Sequence, residues 1–445
     1  MCPRVADGLP GGLMNKVHAS LSKLELLAVY FSYAVRYLYP LILIPYYGRV
    51  LGSSGYGVVL AGLSLSSALW LVVNFGFSTV GGRDIVHTEI ASERDTIFRD
   101  QFTARLLLSI PAAIVGGIAV SRSEIIANVP LAGFFVVAGG LLCAFNIGWY
   151  FTSTGRPRTN VLIEVLGLVL SLALIFTFIR KPADVDRAFP VLFASSMIQT
   201  LVAYWLVRKE YSGFISPVSA AVGLIKRSAT IFIYSGTAIL VLDASTYILS
   251  LLAAAQEVSA FGLSERLVGA ALSIMAPAAQ ILAPKVMYLV TRNPARANLL
   301  ARRTFAIFFV GAVAGVILTR LLSEWLIPLV FGPELRHAVP VLNILVFILP
   351  LTVCTRVLGI YFLIPRKLEK LLAWSGVISA AVNLVTAIPL ASHWGAAGMV
   401  YARILAEGSL LVMLTFGIWK AGLFREILGI NEGVSLPARF GRWLE

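Results

Sequence analysis

The sequence predicts an all-α membrane protein, with twelve transmembrane helices in two six-helix halves around a central polar cavity. Three observations predict it. Of the 445 residues, 58% are hydrophobic and 13% charged, where a soluble domain carries about 25% charged residues. So few charges cannot build a water-facing surface, which excludes a soluble globular enzyme, a disordered chain and a fibrous one. The apolar residues gather in runs long enough to cross a bilayer, which takes about 20 residues of helix. Lysine and arginine gather in alternate connections between those runs.

Taken in order, the spans are predicted at 24–46, 56–79, 103–120, 130–152, 160–179, 188–207, 229–254, 258–283, 304–322, 338–363, 371–391 and 395–419. None shows the two-residue alternation of a membrane-barrel strand. Residues 1–23 contain Asp7 and a Gly/Pro stretch but no apolar core, so they read as a cytoplasmic N-terminal segment rather than a signal peptide. The N-terminal half is then 24–208, a cytoplasmic linker 209–228, the C-terminal half 229–419 and a cytoplasmic tail 420–445. No connection is long enough to hold a soluble domain. Gly52-Ser-Ser-Gly55-Tyr-Gly57 joins the first two spans and reads as a tight turn.

With the N-terminus in the cytoplasm, 25 lysines and arginines fall on the cytoplasmic side and 7 on the outer side. That asymmetry satisfies the positive-inside rule with an even number of spans and both termini inside. The net charge of +14 then reflects those loops and an anionic lipid substrate, not a nucleic-acid partner.

A weak internal repeat supports two halves. The fourth span ends Cys143-Ala-Phe-Asn146-Ile-Gly148-Trp-Tyr150-Phe151, and the tenth Cys354-Thr-Arg356-Val-Leu-Gly359-Ile-Tyr361-Phe362, the same pattern at an offset of 211. Parallel repeats of this kind place a binding site between the halves. Catalytic signatures are missing: there is no nucleotide-binding loop, no H-E-x-x-H and no Cys/His cluster with metal spacing. No enzyme activity and no resident cofactor or metal is expected. Any coupling would run on protons or sodium.

Eight ionisable residues fall inside the spans: Arg36, Arg266, Arg356, Arg403, Glu164, Asp243, Glu265 and Glu407. A charge at the bilayer centre costs roughly 2.5–3.5 kcal/mol, so these side chains turn to the interior of the bundle or to a wet cavity. Arg356 and Glu164 lie near span ends, where they can reach the headgroups. Arg36 and Arg266 have no acid at i±3 or i±4, whereas Arg403 has Glu407 at i+4. Two readings of Arg36 and Arg266 stand: a cross-helix ion pair, for instance Arg36 with Asp243, or two cations facing a cavity for an anionic ligand. Tyr33 and Tyr37 share a helix face with Arg36, which suits sugar stacking or aromatic packing. Asn74 belongs to a polar stripe with Ser64, Ser67 and Ser78. The expected substrate-binding set is Arg36, Arg266, Tyr33, Tyr37, Asn74, Arg403 and Arg356. Asp243 and Glu407 are the carboxylates placed to couple transport to protons.

The run Arg36-Tyr-Leu-Tyr-Pro40, Pro45-Tyr-Tyr-Gly-Arg49-Val-Leu-Gly52-Ser-Ser-Gly55-Tyr-Gly57 and Val73-Asn74-Phe-Gly76-Phe resembles the opening of bacterial polysaccharide flippases. These are the O-antigen and exopolysaccharide translocases of the multidrug/oligosaccharidyl-lipid/polysaccharide exporter superfamily. The resemblance implies movement of an undecaprenyl-pyrophosphate-linked oligosaccharide to the outer leaflet of the bacterial inner membrane, in lipopolysaccharide or exopolysaccharide assembly. It also implies a cationic central cavity, carried here by Arg36 and Arg266, then Arg356 and Arg403. Membrane lipid and the polymerase and chain-length proteins of the same pathway are the expected partners. Three alternatives stay open: a multidrug or cation antiporter and a lipid II flippase, both of the same fold, and a membrane polysaccharide polymerase.

Overall fold

The computed structural model describes residues 23–88, 90–129, 131–232 and 244–424, with side chains from Tyr39 onward except Leu41. Among the described residues every regular element is helical, and nine helices are long and apolar enough to cross a membrane.

Helix α1 (Lys23–Asn74) carries the first two expected spans, divided at Gly52, where φ is 70°. Glycine enters that region without the clash a Cβ would bring, so the expected turn at 52–57 is made at its first residue. The second span stops at Asn74, earlier than the expected 79, because Phe75 and Gly76 both take positive φ. A short α2 (Phe77–Val86) follows. Helix α3 (Ala91–Arg122) starts well before the expected 103 and carries Arg94, Arg99 and Arg105 along its first turns. The fourth span is interrupted, as α4 (Ala132–Ala144) and α5 (Gly148–Ser153). Helices α6 (Pro157–Phe178) and α7 (Ala188–Val207) fall where the fifth and sixth spans are expected.

Helix α8 (Val218–Ile231) and the short α9 (Ser245–Ser250) flank the centre of the expected seventh span, which lies outside the described residues. The eighth span is α10 (Ala255–Ser273) continued by α11 (Met275–Arg292). Helix α12 (Pro294–Phe331) is twice the expected ninth span in length. Its start is well specified: Pro294 occupies the first turn, and the Asn293 side chain accepts from the Arg296 N–H at 3.0 Å. The tenth span is α13 (Ala338–Leu345), α14 (Ile348–Val357) and a π-helical turn, Leu358–Leu363. Helix α15 (Glu369–Lys420) holds the last two expected spans, divided at Gly395 with φ 54°.

Two stretches form the centre. In Ile42–Asn74 and Ala338–Arg366 about two-thirds of the most apolar window is buried (67% and 61%), against 11% in α12. On α12, Ile307 and Leu321 are 71% and 72% exposed. Apolar surface on that scale belongs against lipid tails, not water.

One end of the bundle is sealed between the halves. A Cβ on Gly57 would overlap the Ala255 carbonyl oxygen, and one on Gly48 would stand 2.7 Å from the Phe331 carbonyl oxygen. Beside them Arg49 donates to the Val330 and Leu329 carbonyls at the C-terminus of α12, a favourable place for a cation. At the opposite end Arg156 grips Glu210 through two bonds of 2.5 and 2.7 Å. The Tyr150 hydroxyl donates to the same carboxylate at 2.9 Å. Burial alone would raise the Glu210 pKa, but the Arg156 and Tyr150 bonds outweigh it and hold it below the usual range.

Candidate functional site

The deep charges converge. Helix α10 contributes Glu265 and Arg266, α14 contributes Thr352, Thr355 and Arg356, α15 contributes Arg403 and Glu407, and α1 contributes Ser64 and Ser67. All line one cavity of about 480 Å³ between the halves. Helix geometry explains the convergence, since Arg403 and Glu407 share a face at i, i+4. Gly262 and Gly269 keep the Arg266 face of α10 low, and both line the same cavity.

Inside the cavity the charges fall into two classes. Arg403 pairs with Glu265 at 3.4 Å, and Glu265 also accepts from the Thr246 hydroxyl at 3.0 Å. This corrects the expected Arg403–Glu407 pair. The acid four residues along α15 instead accepts from the Thr355 hydroxyl at 2.5 Å. Cross-helix packing overrides the neighbour on the same helix, because Glu265 meets the guanidinium where α10 and α15 touch. Arg403 keeps one buried Nη1 without a hydrogen-bond partner among the described residues. Arg356 donates only a long 3.4 Å bond to the Leu272 carbonyl. Among the described residues no carboxylate pairs with Arg266. Three guanidiniums against two carboxylates leave the lining net positive. A planar, weakly hydrated guanidinium suits paired phosphate oxygens.

Arg266 also borders a second, largely apolar recess of about 630 Å³, with Pro40 and Ile44 of α1 opposite Ser273 and Pro277. Of the remaining expected residues, Asn74 lies elsewhere. Its side-chain oxygen accepts from Ser78 at 2.8 Å and Arg105 at 3.3 Å, so it is engaged by a fully buried arginine rather than facing the cavity. The side chains of Tyr33, Arg36 and Tyr37, and the whole of Asp243, lie outside the described residues. Sequence reasoning placed Glu265 among the embedded charges but left it out of the substrate-binding and coupling sets, and it counted Arg105 among the cytoplasmic cations. The signal for Glu265 was its depth, the same criterion that selected Arg266.

A multi-pass helical bundle with a charged cavity between its halves defines a membrane transport protein. The chain belongs to the polysaccharide biosynthesis protein family, whose model matches residues 26–287. It is 23% identical over 391 residues to a Shigella dysenteriae protein carrying the provisional name of O-antigen transporter, covering 86% of this chain and 97% of that one. The fold is that of the lipid II flippase MurJ in its inward closed conformation, with a TM-score of 0.66 at 12% identity over 92% of this chain and 90% of that one. The multidrug transporter DinF-BH, of the MATE class, shares the fold at a TM-score of 0.53 and 15% identity, over 97% of this chain and all of that one.

Proposed function

We propose that the protein is a flippase that carries an undecaprenyl-pyrophosphate-linked oligosaccharide from the inner to the outer leaflet of the bacterial cytoplasmic membrane, by alternating access. The observation that carries this reading is the cavity lined by Arg266, Arg356 and Arg403, in which Arg266 has no described carboxylate partner. A pyrophosphate supplies the missing negative charge. Hydrated sugars cannot enter hydrocarbon with their hydroxyls unsatisfied, and a polar cavity removes that obstacle. The apolar recess beside Arg266 gives the lipid tail a path to the bilayer while the head group is held inside. Cationic cargo, as in a multidrug antiporter, would be repelled by this lining.

Twelve spans in two parallel six-helix halves fit the structure once α1 and α15 are each divided at their glycine and the 229–254 segment counts as one span. The repeat has a structural echo. After Cys143 and after Cys354 the helix loses α-geometry, and each half then buries a Tyr-Phe pair, Tyr150–Phe151 and Tyr361–Phe362. Arg156 and Arg366 stack on those phenylalanines at 5.3 and 5.7 Å. Both termini lie in the cytoplasm by the charge bias, so the sealed end faces outward. A proton-coupled exchange is consistent with Asp243 and Glu407: phosphate that captures an arginine leaves the nearby acid free to take up a proton.

The test is Arg266→Ala in a cell lacking its own copy of the gene. Surface polysaccharide falls tenfold or more, while the protein reaches the membrane at its normal level; an unchanged polymer level overturns the cationic site. Arg266→Lys restores only part, because an ammonium cannot form the two-point contact.

A further inference from the structure

We propose that a separate chamber inside the N-terminal half is a carbohydrate subsite that takes an uncharged sugar of the cargo. The proposal rests on the flippase reading above and names where the glycan goes. The chamber, of about 490 Å³, lies between α1, α5, α6 and α7, and its polar wall carries Asn146, Thr152, Asn160, Glu164, Ser171 and Gln199. Among the described residues neither lysine nor arginine lines it. Its chemistry is therefore opposite to that of the cationic cavity: amides, hydroxyls, one carboxylate and the Trp149 ring. Sugar hydroxyls donate and accept at once, which side-chain amides match in both senses and a carboxylate matches as acceptor. Trp149 adds an apolar face of the kind that covers a pyranose ring. The volume suits a small ligand, since such sites span about 300–1,000 Å³.

Two amides carry the inference. Among the described residues neither the Asn160 nor the Gln199 side chain is spent on a hydrogen-bond partner, and both half-buried amides line the chamber, open to a ligand there. Each amide lies against a glycine. A Cβ on Gly167 would approach the Gln199 amide oxygen to 2.7 Å, and one on Gly148 would overlap Asn160 Oδ1. Tyr39 links the two spaces. Its hydroxyl bonds Ser171 at 2.7 Å in the chamber wall, and the next residue, Pro40, lines the recess that Arg266 borders. A head group with pyrophosphate at Arg266 has its first sugars directed past Tyr39.

The experiment measures binding to the purified full-length protein of farnesyl pyrophosphate and of the same molecule carrying N-acetylglucosamine or galactose. At least one sugar-bearing probe binds about tenfold more tightly than the bare one, the effect of one or two good hydrogen bonds. In the Asn160→Leu/Gln199→Leu double variant that advantage disappears, while affinity for bare farnesyl pyrophosphate is unchanged, which also reports correct folding. Should the double variant fail to bind the bare probe, the single variants Asn160→Leu and Gln199→Leu are measured in its place, and at least one must lose most of the advantage. A parent protein with no sugar advantage, or an advantage that survives the substitutions, overturns the chamber. Arg266→Ala weakens bare and sugar-bearing probes alike and leaves their ratio. If it leaves both affinities intact, the pyrophosphate site is wrong and the chamber result stands by itself.

Discussion

Arg403 stands across from Glu265, while Arg266, next to that glutamate in the chain, has no described acid of its own. The two arginines therefore respond in opposite ways to removal. Arg403→Ala leaves Glu265 with only the Thr246 hydroxyl. Breaking one side of a buried pair costs about 3–5 kcal/mol, and partial exposure of these side chains, 18% and 27%, lowers the expected loss to about 1–2 kcal/mol. It is read as a lower midpoint of thermal unfolding in detergent. Arg266→Ala removes an uncompensated charge, so its midpoint stays level or rises while transport is lost. A drop as large as that of Arg403→Ala would mean that Arg266 is structural. At this scale the sequence was readable where depth alone decides: Arg266, Arg356, Arg403 and Glu407 were selected as charges inside apolar runs, and all four line one cavity. It was unreadable where partnership crosses helices. Nothing in the spacing of 265 and 403 reveals that they meet. The polar chamber escaped notice because Asn146, Asn160 and Gln199 are neutral and spread over two helices and the break between α4 and α5, so no spacing or charge marks them.

Helix α15 shows how one residue sets an element's shape. At φ 54° Gly395 holds a conformation that costs an L-residue about 1–2 kcal/mol. The neighbouring Ala396 N–H donates to Glu257 Oε2 at 2.8 Å, tying the break to α10. Gly395→Ala adds a methyl 2.7 Å from that carboxylate oxygen, so the expected result is a destabilisation of about 1–3 kcal/mol, measured as a fall in unfolding midpoint. The contact of Arg156 and Glu210 gives a pH dependence. The folded Glu210 pKa lies below its ordinary 4.5. The clamp's contribution is therefore complete above pH 4.5 and is lost as pH falls through the lowered value. Glu210→Gln flattens that part of the acid limb of the stability profile; an unchanged limb would show the clamp to be idle. The interruptions after Cys143 and Cys354 were invisible to hydropathy, which sees the fourth and tenth spans as unbroken because breaks buried in protein keep their apolar composition.

For the molecule as a whole, the helical class of the described residues followed directly from apolar run length, and α6 and α7 begin and end within three residues of the expected limits. Helix extensions beyond the bilayer did not, because polar turns such as Ala91–Gln101 carry no hydropathy signal. Orientation is tested with a membrane-impermeant maleimide on intact cells, after replacing Cys2, Cys143 and Cys354 by alanine. Ser53→Cys, at the sealed end, is labelled from outside, whereas a cysteine at Ser212 is labelled only after the membrane is permeabilised. The reverse pattern would invert the transport direction proposed above.

The contact of Gly57 with the Ala255 carbonyl has a consequence for the balance between the two faces. At this one point closure is made backbone to backbone, with no side chain that could move aside, while Arg49 and Leu335 close the seam around it through side chains. That makes the point intolerant. Even one methyl acts as a wedge on the closed form alone and tilts the balance between the two faces by its full strain energy, since a perturbation confined to one state shifts the populations by that amount. Gly57→Ala should therefore leave the cavity chemistry intact yet hold the protein open on the outer face. Cysteines placed at Ser64 or Ser67 in that variant, on the same cysteine-free background, become labelled from outside the cell, as a transporter stalled halfway through its stroke requires.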